Sequence, residues 1–149
     1  MTNKREKLSE MIVLATNRHA GQFDKGGHAY ILHPLAVMYL LGKSADEELQ
    51  MIAIGHDLLE DTDTTTAELR DLGFSERVIL GILALTKQNG ESYDEYKQKV
   101  MLNKDAVRVK MADLKHNTDI RRLKGVTAKD IARMEKYFKF YMELTQIAT

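Results

Sequence analysis

The sequence predicts an all-α fold on three observations. Apolar residues recur at three- and four-residue steps through most of the chain, no stretch of convincing length alternates apolar and polar residues, and 149 residues contain a single proline, Pro34. A composition of 44% hydrophobic and 30% charged residues suits one compact multi-helix domain over residues 1–149. A chain of this length can bury roughly 70% of the surface its unfolded form exposes.

Each element follows from local chemistry. Leu8, Met11, Ile12, Ala15 and His19 mark an amphipathic helix from about Lys4 to Ala20, ended by Gly21. The segment from Gly21 to Tyr30 holds three glycines with Asp24 and Lys25 and reads as a flexible polar loop. Pro34 suits the first position of a second helix, which runs through Val37, Met38 and Leu41 to Gly42. A third helix opens at Asp46 and continues without a break through Ile52, Leu58 and Leu59. Thr65 with Glu68 caps a short helix ending at Gly73, and Ser75 with Glu76 opens one carrying Val78, Ile79 and Ile82. A more polar helix spans Tyr93 to Leu102, Asp105 opens the next, and Thr127 with Asp130 caps the last, whose stripe includes Ile131, Tyr137, Phe138 and Leu144. This makes seven or eight helices, with no internal repeat and no low-complexity segment.

Composition excludes several functions. Twenty-two basic residues balance twenty-two acidic ones, so no global field exists to hold an extended nucleic acid. Without cysteine there is no disulfide, thiolate nucleophile or Cys-ligated zinc, which leaves His and carboxylates as the strong metal ligands. No apolar run approaches the roughly 20 residues of a membrane span, and the amino terminus is charged rather than signal-like. A cytoplasmic protein is expected. The local basic cluster Arg121, Arg122, Lys124 and Lys129 reads first as a solvated connection, with a foothold for one RNA strand as the alternative.

Function is expected where the apolar pattern is violated. In the third helix, Met51 to Gly55 leads straight into His56, Asp57, Leu58, Leu59, Glu60 and Asp61. On a continuous helix the charged members share one face, where three carboxylates repel unless a cation sits among them. The plainer reading is an acidic helix end turned to solvent. Lys110, Asp113 and Asn117 repeat the violation, placing a carboxylate among apolar neighbours. Such a group is costly unless paired, with Lys110 or Arg108 for example, or metal-bound. His33 precedes Pro34, which pushes it out of the α region and into a cap-like conformation. A capping or packed histidine is the plainer role for it. His19 reads as a packed histidine, His28 as an exposed loop residue, and His116 as a surface residue, since helical spacing turns it away from Asp113 and Asn117. Together His33, His56, Asp57 and Asp113 form a mixed nitrogen and oxygen set suited to Mn²⁺, Fe²⁺ or Zn²⁺. Glu60 and Asp61 are placed to orient or deprotonate a water, or to protonate a leaving group.

Four segments then carry a resemblance: His19-Ala20-Gly21-Gln22, Gly27-His28-Ala29-Tyr30-Ile31-Leu32-His33-Pro34, His56-Asp57-Leu58-Leu59-Glu60-Asp61-Thr62, and Val109-Lys110-Met111-Ala112-Asp113-Leu114-Lys115-His116-Asn117. In order and spacing they resemble HD-domain metal-dependent phosphohydrolases, specifically the hydrolase half of Rel/Spo alarmone enzymes and the stand-alone small alarmone hydrolases. The resemblance implies a Mn²⁺ site at His33, His56, Asp57 and Asp113, with Glu60 and Asp61 serving the catalytic water. It implies removal of 3′-pyrophosphate from guanosine tetra- or pentaphosphate, with Lys25 holding phosphate and Asn117 bonding ribose or phosphate. Length leaves no room for the synthetase domain of the bifunctional enzymes, so hydrolysis without synthesis is expected. The implied partner is a small nucleotide, with no membrane, and a homo-oligomer is compatible. Departures lie in the glycine loop, where Phe23-Asp24-Lys25 retains only the lysine of the family's basic pair, and after Asn117, where Thr118-Asp119-Ile120-Arg121-Arg122 leaves the alarmone pattern. Another nucleotide is therefore the alternative substrate, and a non-catalytic nucleotide-binding or antitoxin-like protein is the alternative role.

Overall fold

The computed structural model describes residues 3–148. Among them are nine α-helices: α1 (Lys4–Arg18), α2 (Leu32–Leu40), α3 (Glu47–Gly55), α4 (Leu58–Asp61), α5 (Thr66–Asp71), α6 (Glu76–Ala84), α7 (Tyr93–Met101), α8 (Lys104–Asn117) and α9 (Ala128–Ala148), with a 3₁₀ turn over Ile120–Arg122. The described residues form no strand beyond an isolated bridge between Phe23 and Ala29. None of the helices is long and apolar enough to cross a membrane.

The all-α expectation holds, and α3 is the reason the helices converge. Leu49, Met51, Ile52, Ala53 and Ile54 are all buried, so no face of this helix meets solvent along its second half. Helices α1, α2, α6 and α8 pack around it. Close approach of α6 depends on Gly81, where a Cβ would meet Ile52 Cδ1 at 2.5 Å. Capping proceeds largely as the side chains dictate. Asp46 accepts from the Leu49 amide, Thr65 from Glu68 and Ser75 from Val78, while Ser92 and Glu95 form a reciprocal capping box.

Three boundaries depart from expectation. The third helix is interrupted: α3 stops at Gly55, His56 and Asp57 form a turn, and α4 begins at Leu58. His56 Nδ1 bonds the Ala53 carbonyl at 2.6 Å, engaging the acceptor that an unbroken helix offers to the Asp57 amide. The interruption raises the helix number above seven or eight. Helix α2 starts at Leu32, so Pro34 is its third residue rather than its first, and His33 lies inside the first turn instead of capping it. A proline anywhere in a first turn removes an amide that has no intrahelical acceptor anyway. Finally, α8 is capped by Asn103, whose Oδ1 accepts from Ala106, while Asp105 pairs with Arg77.

The last helix begins at a reciprocal arrangement in which Thr127 N donates to Asp130 Oδ2 at 2.9 Å and Asp130 N donates to Thr127 Oγ1 at 3.2 Å. These bonds from the Thr127 backbone, with Arg133 on the other oxygen, hold the Asp130 carboxyl down at about 2. A depressed carboxyl contributes stability that is complete above its ordinary value and disappears as pH falls through its folded value. Asp130→Asn is therefore expected to melt at lower temperature than the natural sequence at pH 7, with the difference shrinking as pH approaches about 2. A thermal melt series against pH reads this directly.

Candidate metal centre and adjoining cleft

The interruption between α3 and α4 places His56 and Asp57 opposite the first turn of α2 and the middle of α8. His33 Nε2 lies 2.9 Å from Asp113 Oδ1 and 3.8 Å from Asp57 Oδ2, while His56 Nε2 lies 3.1 Å from Asp57 Oδ2 and 3.4 Å from Asp113 Oδ1. His33, His56 and Asp113 are buried, and each offers a donor atom within 4.8 Å of the others. Three segments distant in sequence thus supply one polar cluster in an apolar core.

The chemistry of this donor set fits a divalent cation. Because His56 Nδ1 donates to the Ala53 carbonyl, neutral His56 presents an Nε2 lone pair, and that atom has no hydrogen-bond partner among the described residues. A lone pair facing two carboxylates is repulsive unless positive charge intervenes. The cluster's demand for such charge is strong. Burial opposes ionisation of His56, yet Asp57 and Asp113 lift its imidazole well above the ordinary range. Asp57, against its own burial, is pulled down by His56 to about 2. Asp113, the more deeply buried of the two acids, is drawn well below the carboxylate range by Lys110 and the two histidines.

Surrounding side chains hold the acids in place. Lys110 Nζ bonds Asp113 Oδ2 at 2.9 Å and Asn117 Nδ2 bonds Asp113 Oδ1 at 2.9 Å, while Tyr30 donates its hydroxyl to Asp57 Oδ2 at 2.5 Å. The Asp113–Lys110 pair and the Asp113–histidine contacts therefore coexist, Lys110 on Oδ2 and the histidines on Oδ1. Burial and the Asp57 charge push the Tyr30 phenol upward, so it stays a donor. Its ring packs at 5.1 Å from His19 and 5.7 Å from His33. His19 is buried, with Nδ1 at 2.8 Å from Gln22 Oε1, which fits a packed histidine; His28 is exposed, as expected of the loop.

Glu60 and Asp61 do not share the buried face. Both residues are exposed in α4, which follows the turn at His56 and Asp57. Glu60 accepts a hydrogen bond from the Lys87 amide. Loss of hydration, and then the charge of Asp57, moves both carboxyl groups above their usual range; for Glu60 this wins against the Lys87 amide.

His116 corrects the surface expectation. It is half-buried, its ring stacks on His33 with centroids 5.0 Å apart, and the two Nδ1 atoms are 2.8 Å from one another. Three residues along α8 from Asp113, it lies on the same side of that helix rather than turned from it, and His33 of α2 covers that side. Burial and the Arg122 cation push its imidazole down to about 4.

Beside the cluster lies a cleft of about 370 Å³, lined by Phe23, Asp24, Lys25, Gly26, Tyr30, Asn117, Asp119, Arg122, Leu123, Arg133 and Tyr137. That volume falls in the range of small-molecule sites. Tyr30 and Asn117 belong to both cleft and cluster, so a ligand in the cleft abuts the acids. The glycine loop proves tied down rather than loose: Asp24 Oδ1 accepts from the Gly26 and His28 amides at 2.9 Å each, and Asp24 Oδ2 faces Arg122 Nη2 at 3.4 Å. At Gly26 any Cβ would collide with the Arg122 carbonyl oxygen. Lys25 lines the cleft, whereas Asn117 has both polar ends engaged, giving its amide to Asp113 and accepting from Arg122 Nη1 at 3.1 Å. The basic cluster divides. Arg121 is exposed on Asp119, but Arg122 turns into the cleft, as do Arg133 and Tyr137 from α9. Sequence reading did not single out those α9 residues, because they occupy ordinary positions on an amphipathic helix.

No family model matches the sequence. The chain is 31% identical over 148 residues to the guanosine-3′,5′-bis(diphosphate) 3′-pyrophosphohydrolase of Aquifex aeolicus, across 95% of this chain and 20% of that protein. It is 30% identical over 124 residues to the bifunctional (p)ppGpp synthase/hydrolase SpoT of Escherichia coli strain K12, across 75% of this chain and 18% of that one. The chain thus spans about a fifth of the length of these curated relatives. Among solved structures, a metazoan ortholog of SpoT described as hydrolysing ppGpp superposes with a TM-score of 0.76 at 24% identity, covering 99% of this chain and 88% of that one. That superposition shows a shared all-α fold. The resemblance carried by the four sequence segments is borne out, and this chain is similar over nearly its whole length to part of a Rel/Spo-type pyrophosphohydrolase.

Proposed function

We propose that this protein is a divalent-metal-dependent hydrolase that removes 3′-pyrophosphate from guanosine tetra- or pentaphosphate, leaving GDP or GTP. The observation that carries the reading is the buried His33, His56 and Asp113 cluster, with Asp57 against it, opening beside a cationic cleft of nucleotide size. Similarity to proteins named for this reaction supports the substrate. His33, His56, Asp57 and Asp113 would hold the ion; this mixed imidazole and carboxylate set suits Mn²⁺, Fe²⁺ or Zn²⁺, and the resemblance to Rel/Spo hydrolases implies Mn²⁺ among them. When bound, such an ion supplies Lewis acidity toward a phosphate oxygen and makes water a better nucleophile.

The chain's own groups do the rest. Lys25, Arg122 and Arg133 line the cleft where the phosphates would lie, and Tyr137 offers a ring face for the base. Lys110 and Asn117 keep Asp113 oriented, and Tyr30 does the same for Asp57. In the reaction a water oxygen bonds to the 3′ phosphorus as the P–O3′ bond breaks. Asp61 or Glu60 takes the water proton, and the leaving 3′ oxygen receives one in turn. Carboxyl groups raised above their usual range suit that exchange. The acid limb of the rate profile is accordingly expected above the pH at which an unperturbed carboxylate titrates, and Asp61→Asn should abolish it along with most turnover.

Incubation of guanosine tetraphosphate with the protein and Mn²⁺, followed by chromatography, should yield GDP and pyrophosphate in equal amounts. A second reading, hydrolysis of another nucleotide at the same centre, is favoured by Asp24 standing in the loop and pairing with Arg122 inside the cleft. Inertness toward guanosine tetraphosphate with turnover of a simple nucleotide in a parallel panel would decide for it. Retention of the cluster residues weighs against a non-catalytic role.

A further inference from the structure

His116 and His33 face each other through Nδ1 atoms 2.8 Å apart, with their rings stacked 18° from parallel. Two ring nitrogens at this distance can neither both carry hydrogen nor both present lone pairs, so a single proton lies between them. His33 is buried, and its other nitrogen, Nε2, faces Asp113 Oδ1 at 2.9 Å. The side of the pair on which the shared proton resides therefore determines what Nε2 offers. With the proton on His116, neutral His33 is the Nε2–H tautomer and donates to Asp113. With the proton on His33 Nδ1, Nε2 becomes a lone pair aimed into the cluster.

We propose that His116 is a positioning residue that fixes the tautomer and ring plane of His33 through this shared proton, so that His33 can present Nε2 to a cation without changing its own charge. Protons balance in the exchange: one crosses from His116 Nδ1 to His33 Nδ1, His33 Nε2 releases one to solvent, and His116 Nε2 takes one up. His56 needs no such partner, because the Ala53 carbonyl accepts from its Nδ1 and can do nothing else. The two imidazoles of the cluster are thus held by different devices, one a fixed acceptor and one reversible. The inference rests on the metal reading for its purpose, but the shared proton itself does not.

The test uses the full-length protein labelled with ¹⁵N. In the metal-free state a through-hydrogen-bond coupling is expected between the Nδ1 nuclei of His33 and His116, and its absence would overturn the proposal. Added Zn²⁺, a diamagnetic probe, should convert His33 to the Nδ1–H tautomer. His116→Leu should weaken Zn²⁺ binding by about tenfold or more, as loss of a ligand-orienting partner generally does, whereas His116→Asn, whose Oδ1 can accept in place of Nδ1, should restore most of it. Equal affinity of His116→Leu and the natural sequence would also overturn the proposal. Failure of the natural sequence to bind any divalent ion would instead remove the metal reading, with the coupling still deciding whether the proton is shared.

Discussion

Asp57→Ala is expected to reduce pyrophosphate release by on the order of a thousandfold or more while the protein remains folded. Asp57 Oδ2 is within 3.1 Å of His56 Nε2 and accepts the Tyr30 hydroxyl, so the substitution removes one of the two acids that make the cluster attractive to a cation. The fold should persist because the same change deletes a half-buried charge, and the unpaired Tyr30 hydroxyl lines the cleft, where water can reach it. Turnover, helical circular dichroism and divalent-ion affinity measured on one preparation separate loss of chemistry from loss of structure. Substantial residual turnover with an intact fold would remove Asp57 from the proposed ligands.

The second large effect concerns stability. Lys110→Met should destabilise the metal-free protein by about 3–5 kcal/mol, the usual consequence of removing one partner from a buried ion pair. Lys110 is held protonated by Asp113 despite its burial, and its ammonium also lies 5.3 Å from the Tyr96 ring centroid. Methionine keeps most of the volume but leaves the Asp113 charge facing an apolar wall. Without Lys110 the Asp113 carboxyl protonates more readily in the folded state, so the deficit should narrow as pH falls. A divalent ion should narrow it as well. Urea titrations at two pH values, with and without Mn²⁺, check both statements. A deficit that ignores pH and metal alike would show that Lys110 acts through packing alone.

Much of this was legible in the chain. Capping by Asp46, Thr65 and Ser75, the stops at Gly21 and Gly42, and the apolar stripes could be read because each depends on residues within a few positions. The ligand types were legible for a different reason: ionisable groups in apolar helices break a pattern, and the breaks at His56, Asp57 and Asp113 are conspicuous. What misled was the assumption of a continuous third helix. The interruption coincides with a local bond from His56 Nδ1 to the Ala53 carbonyl, a detail that periodicity does not register. His116 differs, because its step of three from Asp113 already puts it on the ligand side of α8. Counting along α8 gives its direction, but only the position of α2 tells whether that direction leads to solvent or to His33.

The sequence by itself determined the fold class, the helix limits to within a few residues, and the residue types available to bind a cation in a chain without cysteine. Tertiary structure alone decided that three distant segments meet within a few ångströms, that Lys110 and the histidines take different oxygens of Asp113, and that Arg122, Arg133 and Tyr137 share a cleft with Lys25. The physical reason is range. Helix propensity, capping and amphipathicity act over one or two turns, whereas a polar cluster inside an apolar core exists only once packing around α3 has brought its members out of water together.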